Sequence, residues 1–181
     1  MAHTAGGEGQ AFKRQGMEVT SLSTLVGAHP DALRSIYERG SPADPESLGD
    51  APRGRVLAIG DNARAFMLMR PLLQTLATDA LPWKGKVFDH GGNSGQNVVF
   101  SRRAFRFHAE VEPSYLDGKP SLLLRYGDPA YKNPRLLRAV VDELREVGPG
   151  VAIGPALRVA KDGSPDLLLW FGLENESARA Q

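Results

Sequence analysis

The chain has 181 residues, 41% of them hydrophobic, enough for one domain with a sizeable core. Its 22 basic and 21 acidic residues leave a formal net charge of +1 with no long basic run, so the electrostatic footprint of a nucleic-acid binder is missing. Zero cysteines exclude disulfides, thiolate metal sites, iron–sulfur clusters and a cysteine nucleophile, and fit a reducing, cytoplasmic setting.

Residues 1–18, MAHTAGGEGQAFKRQGME, are polar and glycine-rich; they bury too little apolar surface to order and are expected to form a disordered arm. The arm lacks the apolar centre of a secretory signal, and no later segment reaches the ~20 apolar residues of a membrane span. A single domain is expected over 19–175, with 176–181 as a flexible tail. Between Ser21 and Gly40, residues Leu22, Leu25, Val26, Leu33, Ile36 and Tyr37 recur at helical spacing, with a fresh start at His29-Pro30 and a stop at Gly40. A proline-rich connector, SPADPESLGDAPRG, leads to a short strand at Val56 to Ile59. Asp61 or Asn62 then caps a predicted helix that carries Phe66, Met69, Leu72, Leu73 and Leu76 on one face, is kinked at Pro71 and ends at Leu81-Pro82.

From Trp83 the pattern changes to strands. Lys86 to Asp89, Asn97 to Ser101 and Ala104 to Glu112 follow in quick succession, and in FRFHAEVEP apolar Phe105, Phe107, Ala109 and Val111 alternate with Arg106, His108, Glu110 and Glu112. Asp117-Gly118 suits a tight turn and pairs that strand with Ser121 to Tyr126. Asn133 as cap, Pro134, the stripe Leu136, Leu137, Val140, Val141 and Leu144, and the stop Gly148-Pro149 predict one helix interrupting the sheet. Its Arg135, Arg138, Asp142, Glu143 and Arg145 fall mainly on the opposite, solvated face. A last hairpin joins Val151 to Ala160 and Asp166 to Glu174 through KDGSP. Seven or more strands with few polar edges favour closure. The expected fold is thus α+β and mainly β: an antiparallel barrel preceded by N-terminal helices and interrupted by one helix.

Candidate chemistry is sparse. Histidines at 3, 29, 90 and 108 have no paired spacing, so no metal site is expected. GGNSGQN at 91–97 lacks the ending of a phosphate loop, no G-x-S-x-G elbow exists, and no cofactor is expected. His108 shares its polar face with Glu110, and an exterior, solvated strand carries more weight for it than a cavity. Tyr126, Asp128, Asp142 and Glu143 are the other acid–base candidates, the last two adjacent on the predicted helix and therefore about 100° apart. Trp83 and Trp170 are the large apolar anchors, more often core than ligand contacts.

WKGKVF at 83–88 and LLLRYGDPAYKNPRLLRAV at 122–140 resemble a bacterial family of uncharacterised calycin-type proteins that joins a GXWXG domain to a lipocalin-like domain. Trp83, Gly85, Lys86 and Phe88, then Tyr126, Asp128 and Pro129, Ile153-Gly154, and Leu167 to Leu173 follow its pattern. PRGRVLAI at 52–59 lacks its tryptophan, and Gly127 splits the Tyr-Asp pair. The resemblance implies a lipocalin-like barrel that holds an apolar small molecule such as a fatty acyl chain, an isoprenoid or a polyketide.

Three functions follow from such a barrel. The first is noncatalytic binding of a hydrophobic small molecule, with Trp83, Phe88, Phe107, Tyr126 and Trp170 among the lining residues and Arg125 or His108 meeting a carboxylate or carbonyl head. Phe107 and His108 point to opposite faces of one strand, so only one of them lines the cavity. The second is an isomerase or cyclase using acid–base catalysis on a bound apolar substrate. The third is a filled barrel serving as a protein-interaction module. Oligomeric state is not set by any of these features.

Overall fold

A computed structural model describes residues 19–60 and 83–175. The expected arm, the tail and the predicted helix between 61 and 82 lie outside the described residues. Among the described residues nine strands follow in chain order: β1 (Ser41–Pro42), β2 (Arg53–Ile59), β3 (Trp83–Phe88), β4 (Ser94–Val99), β5 (Arg102–Pro113), β6 (Pro120–Arg125), β7 (Val140–Gly148), β8 (Val151–Val159) and β9 (Pro165–Glu174). From β2 to β9 each strand pairs antiparallel with the next, and β9 returns to β2 through pairs such as Val56 with Phe171. Eight strands therefore close an up-and-down barrel with no free edge. The short β1 pairs with β7 at Ser41–Glu146 and Pro42–Arg145, outside that ring.

The turns explain the meander. Phe100 and Ser101 both take positive φ (48° and 61°) in the two-residue loop between β4 and β5, the backbone that matches the twist of paired strands. Asp117-Gly118 turns between β5 and β6, with Gly118 at φ 71°. Connections 100–101, 126–139 and 160–164 gather at one end of the barrel, where β2 also ends and β3 begins, and 89–93, 114–119 and 149–150 at the other. The second end is plugged by the chain before β2: Asp44 caps a single helical turn, Pro45–Leu48, and Ala43 and Leu48 are buried in the same interior cluster as Phe88, Phe107 and Leu173.

Helix α1 (Pro30–Tyr37) starts at His29-Pro30 as expected and lies on the outer wall. Its Leu33 and Tyr37 pack with Leu57, Ile153 and Trp170 in a second apolar cluster outside the barrel. Polar groups fasten it there. Tyr37 donates to the buried Glu143 carboxylate, whose other oxygen accepts from Tyr115 N at 2.7 Å. The Arg145 guanidinium stacks 4.2 Å from the Tyr37 ring centroid and grips Asp117 with two bonds of 2.7 Å. Among the described residues no helix is long and apolar enough to cross a membrane.

One expected element is corrected. The segment read as a helix from Asn133 to Gly148 is one short 3-10 turn, Leu137–Ala139, followed by β7; another such turn, Pro129–Tyr131, precedes it. Val140 and Leu144 face the barrel core while Glu143 and Arg145 meet Tyr37 on the outer wall. With both faces buried, the strand shows no alternation of apolar and polar residues. Asp142, Glu143 and Arg145, expected on a solvated helix face, are all buried.

Candidate functional site

A barrel interior is ordinarily filled by apolar side chains. Here it holds a buried ammonium. Lys86 on β3 is 2% exposed, and its Nζ donates to Asp142 Oδ2 at 2.7 Å, the Tyr126 hydroxyl at 2.8 Å and Asn97 Oδ1 at 2.9 Å. Tyr126 in turn donates to Asp142 Oδ2 at 2.6 Å. The Asn97 amide donates to Tyr126 at 3.1 Å and to the Phe105 carbonyl at 3.2 Å, while its Oδ1 also accepts from Trp83 Nε1 at 2.9 Å. Four aromatic rings, those of Trp83, Phe107, Tyr126 and Phe171, stand 5.2–5.8 Å from the ammonium.

Irregularities of the strands aim these groups. Trp83 and Lys86 are an odd number of residues apart and would occupy opposite faces of a regular strand; a register shift between Trp83 and Gly85 turns both inward. A second shift, at Gln96/Asn97, leaves Phe105 as an extra residue of β5 at φ 56°, a conformation that strains a residue with a Cβ. The bulge presents the Phe105 carbonyl to Asn97. Gly54 makes room on the neighbouring strand: a Cβ there would sit 2.3 Å from the Trp83 ring. Asn133, expected as a helix cap, instead ties the loop after β6 by donating to the carbonyls of Arg106 and Tyr126 at 2.7 and 3.0 Å.

The cluster forms one wall of a cavity of about 70 Å³, whose other walls include Val56, Leu137, Ala156, Leu168 and Phe171. By the ~10–15 Å³ that each water needs, this is room for roughly five waters or a small ring. Burial pushes the Lys86 ammonium below the ordinary lysine range, opposed by the attraction of Asp142. Burial, then the Asp142 charge, pushes the Tyr126 phenol well above its ordinary range. The hydrogen bonds use all three Lys86 donors, both sides of the Asn97 amide, the Trp83 indole and the Tyr126 hydroxyl. Asp142 Oδ1 makes no hydrogen bond among the described residues and keeps some accessible surface, and the Asp142 side chain lines the cavity.

Of the residues singled out from the sequence, Trp83, Tyr126 and the acid–base candidate Asp142 meet at this cavity. Phe88 and Phe107 are buried in the barrel interior, their ring centroids 5.7 Å apart, without being part of the cavity wall. His108 and Arg125 point outward: the first is half exposed beside Glu110, and the second forms a two-bond pair with Glu112 at 2.6 and 2.8 Å. Trp170 lies under α1 against Tyr37, in the outer cluster. Nothing in the local sequence marks Lys86, Asn97 or Phe105 for chemistry, and Asp142, an acid–base candidate, is expected on a solvated helix face instead of inside the barrel.

Comparisons with known proteins bear on the fold. No protein-family model matches the chain and no curated protein does, so the resemblance to the GXWXG family gains no support from them. A crystal structure of a protein from Thermomonospora curvata aligns with a TM-score of 0.54 over 86% of this chain and 93% of that one, at 16% identity. At that identity the likeness is one of fold.

Proposed function

We propose that the barrel binds a small, largely apolar, uncharged molecule in the cavity beside Lys86, Tyr126 and Asp142. The single observation that carries this reading is an apolar-walled cavity beside the packed interior cluster of the barrel, with a polar cluster at one wall. The cavity favours a compact ligand, such as a ring or a short isoprenoid- or polyketide-like fragment, over a long acyl chain. A lipocalin-like mode of binding, inside the ring of strands, agrees with that placement. Lys86 and Asp142 neutralise one another, which disfavours a ligand of net charge.

The acid–base alternative draws support from Asp142, a carboxylate on the cavity wall. An isomerase or cyclase also needs a donor for the charge that develops on its substrate. Every donor of the cluster is committed to a protein partner, so binding without turnover is the better-supported reading. Native mass spectrometry of the purified protein, before and after mild unfolding, tests it. A small molecule released on unfolding, or uptake of added toluene or phenol with a change in Trp83 emission, is expected. A cavity that takes up neither would overturn the proposal.

A further inference from the structure

The hydrogen bonds of the interior cluster leave a single open position among the described residues. Lys86 Nζ has three donors and three acceptors around it, at 2.7, 2.8 and 2.9 Å. Tyr126 donates once and accepts twice, and Asn97 accepts twice and donates twice. Asp142 Oδ2 accepts from both Lys86 and Tyr126, and Oδ1 accepts from nothing among the described residues. The Asp142 side chain is 9% exposed and lines the cavity, and its Oδ1 is the acceptor left unpartnered there among the described residues.

We infer that the ligand is a hydrogen-bond donor, an alcohol or a phenol, whose hydroxyl binds Asp142 Oδ1, and that the cavity discriminates against ketones, ethers and carboxylates. This rests on the reading that the cavity takes a small molecule. The reason is chemical complementarity. A carbonyl or ether oxygen offers no proton to Oδ1 and finds no free donor among the described residues of the wall. A carboxylate adds like-charge repulsion. An ammonium would meet the Lys86 charge 2.7 Å from the same carboxylate. A hydroxyl placed on Oδ1 makes a charge-assisted bond, while an apolar isostere displaces any water there without replacing its bond. The expectation of a carboxylate or carbonyl head held by Arg125 or His108 is thereby reversed: both side chains face outward, and the head group consistent with this interior is a hydroxyl.

The test is a titration of the full chain, labelled with nitrogen-15, with matched probes: phenol against toluene, cyclohexanol against cyclohexanone, and cyclohexanecarboxylate. The Trp83 indole N–H reports the cavity, and the Trp170 indole under α1 is the internal control. Phenol and cyclohexanol are expected to bind roughly tenfold or more tighter than their partners, the gain of a hydrogen bond to a charged group, and the carboxylate not to bind. Equal affinity within each pair overturns the inference and leaves small-molecule binding standing; no shift with any probe overturns both. Asp142→Asn, which offers an amide donor, is expected to abolish the preference. Should Lys86 left without its carboxylate unfold the chain, the double variant Lys86→Met, Asp142→Asn is titrated instead, and a preference that survives in it refutes the role of Asp142.

Discussion

Replacing Lys86 by methionine removes the ammonium but leaves the Asp142 carboxylate inside the barrel with only the Tyr126 hydroxyl on Oδ2. The two side chains are 2% and 9% exposed and their charged atoms lie 2.7 Å apart, so the remaining charge has little water to turn to. Breaking a buried pair on one side costs about 3–5 kcal/mol. At roughly 2–4 °C per kcal/mol for a chain of this size, the melting temperature should fall by about 6–20 °C. Asp142→Leu should cost a similar amount for the converse reason. Removing both charges together should restore stability to within about 1–2 kcal/mol of the starting protein, because the desolvation of two ions goes with their attraction. Tyr126 then keeps Asn97 and loses its acceptor, which holds the double variant near the wild type instead of above it. Urea unfolding followed by tryptophan emission, with unchanged m values, gives the four corners of the cycle. Additive losses, or a Lys86→Met variant within 1 kcal/mol of wild type, would refute the argument that the pair is dry and coupled.

Two other perturbations probe how the cluster and the outer wall are held. Gly54→Ala places a methyl group 2.3 Å from the Trp83 ring and 2.7 Å from Gly85 Cα; it should destabilise by about 1–3 kcal/mol and shift Trp83 emission, read in a Trp170→Phe background, and an unshifted spectrum would count against the tight seam. On the outer wall, hydrogen bonds from Arg145 hold the Asp117 carboxyl down to about 2, from an ordinary value of 3.8. A carboxyl lowered on folding contributes stability that is complete above its unfolded value and is lost as pH falls towards its folded one, so about 2 kcal/mol should disappear between pH 4 and pH 2. Asp117→Asn should flatten that part of the stability profile, and an identical acid limb in the variant would rule out this staple as its source.

Much of the barrel is written in local patterns, and the interior cluster is hidden by where those patterns break. Phe105, Phe107 and Ala109 announce β5 because its other face meets solvent. Lys86 has the parity of Phe88, and Asp142 that of Val140 and Leu144, so each shares the face of known core residues. Lys86 was nevertheless obscured, because only the bulge before Gly85 brings Trp83 to the same side. Asp142 was obscured by the helical reading of Leu136 to Leu144, where i, i+1, i+4, i+5 and i+8 spacing is satisfied by a strand buried on both faces. The cover that hides this is α1, whose Tyr37 stands 106 residues before Glu143 in the chain, and its contact with Glu143 and Arg145 is invisible in a window of local sequence. The bulge at Phe105 likewise reverses parity without any glycine to mark it.

The energetics of the pair bear on its purpose. A buried ion pair is seldom more stabilising than well-packed apolar residues of the same volume, and the expected near-neutrality of the charge-free double variant says the same of Lys86 and Asp142. A barrel selected only for stability has no need of an ammonium inside a ring of four aromatic side chains, nor of two strand bulges that bring Trp83 and the Phe105 carbonyl to its partners. What the charges do provide is a fixed, anionic acceptor: Lys86 and Tyr126 lock Oδ2 in place, and Oδ1 is held at the cavity wall without being free to rotate away. Apolar substitutes would keep the fold and lose that acceptor. The double variant should therefore unfold near the wild-type midpoint and bind toluene as tightly as phenol, which separates the role of the pair in recognition from its role in folding.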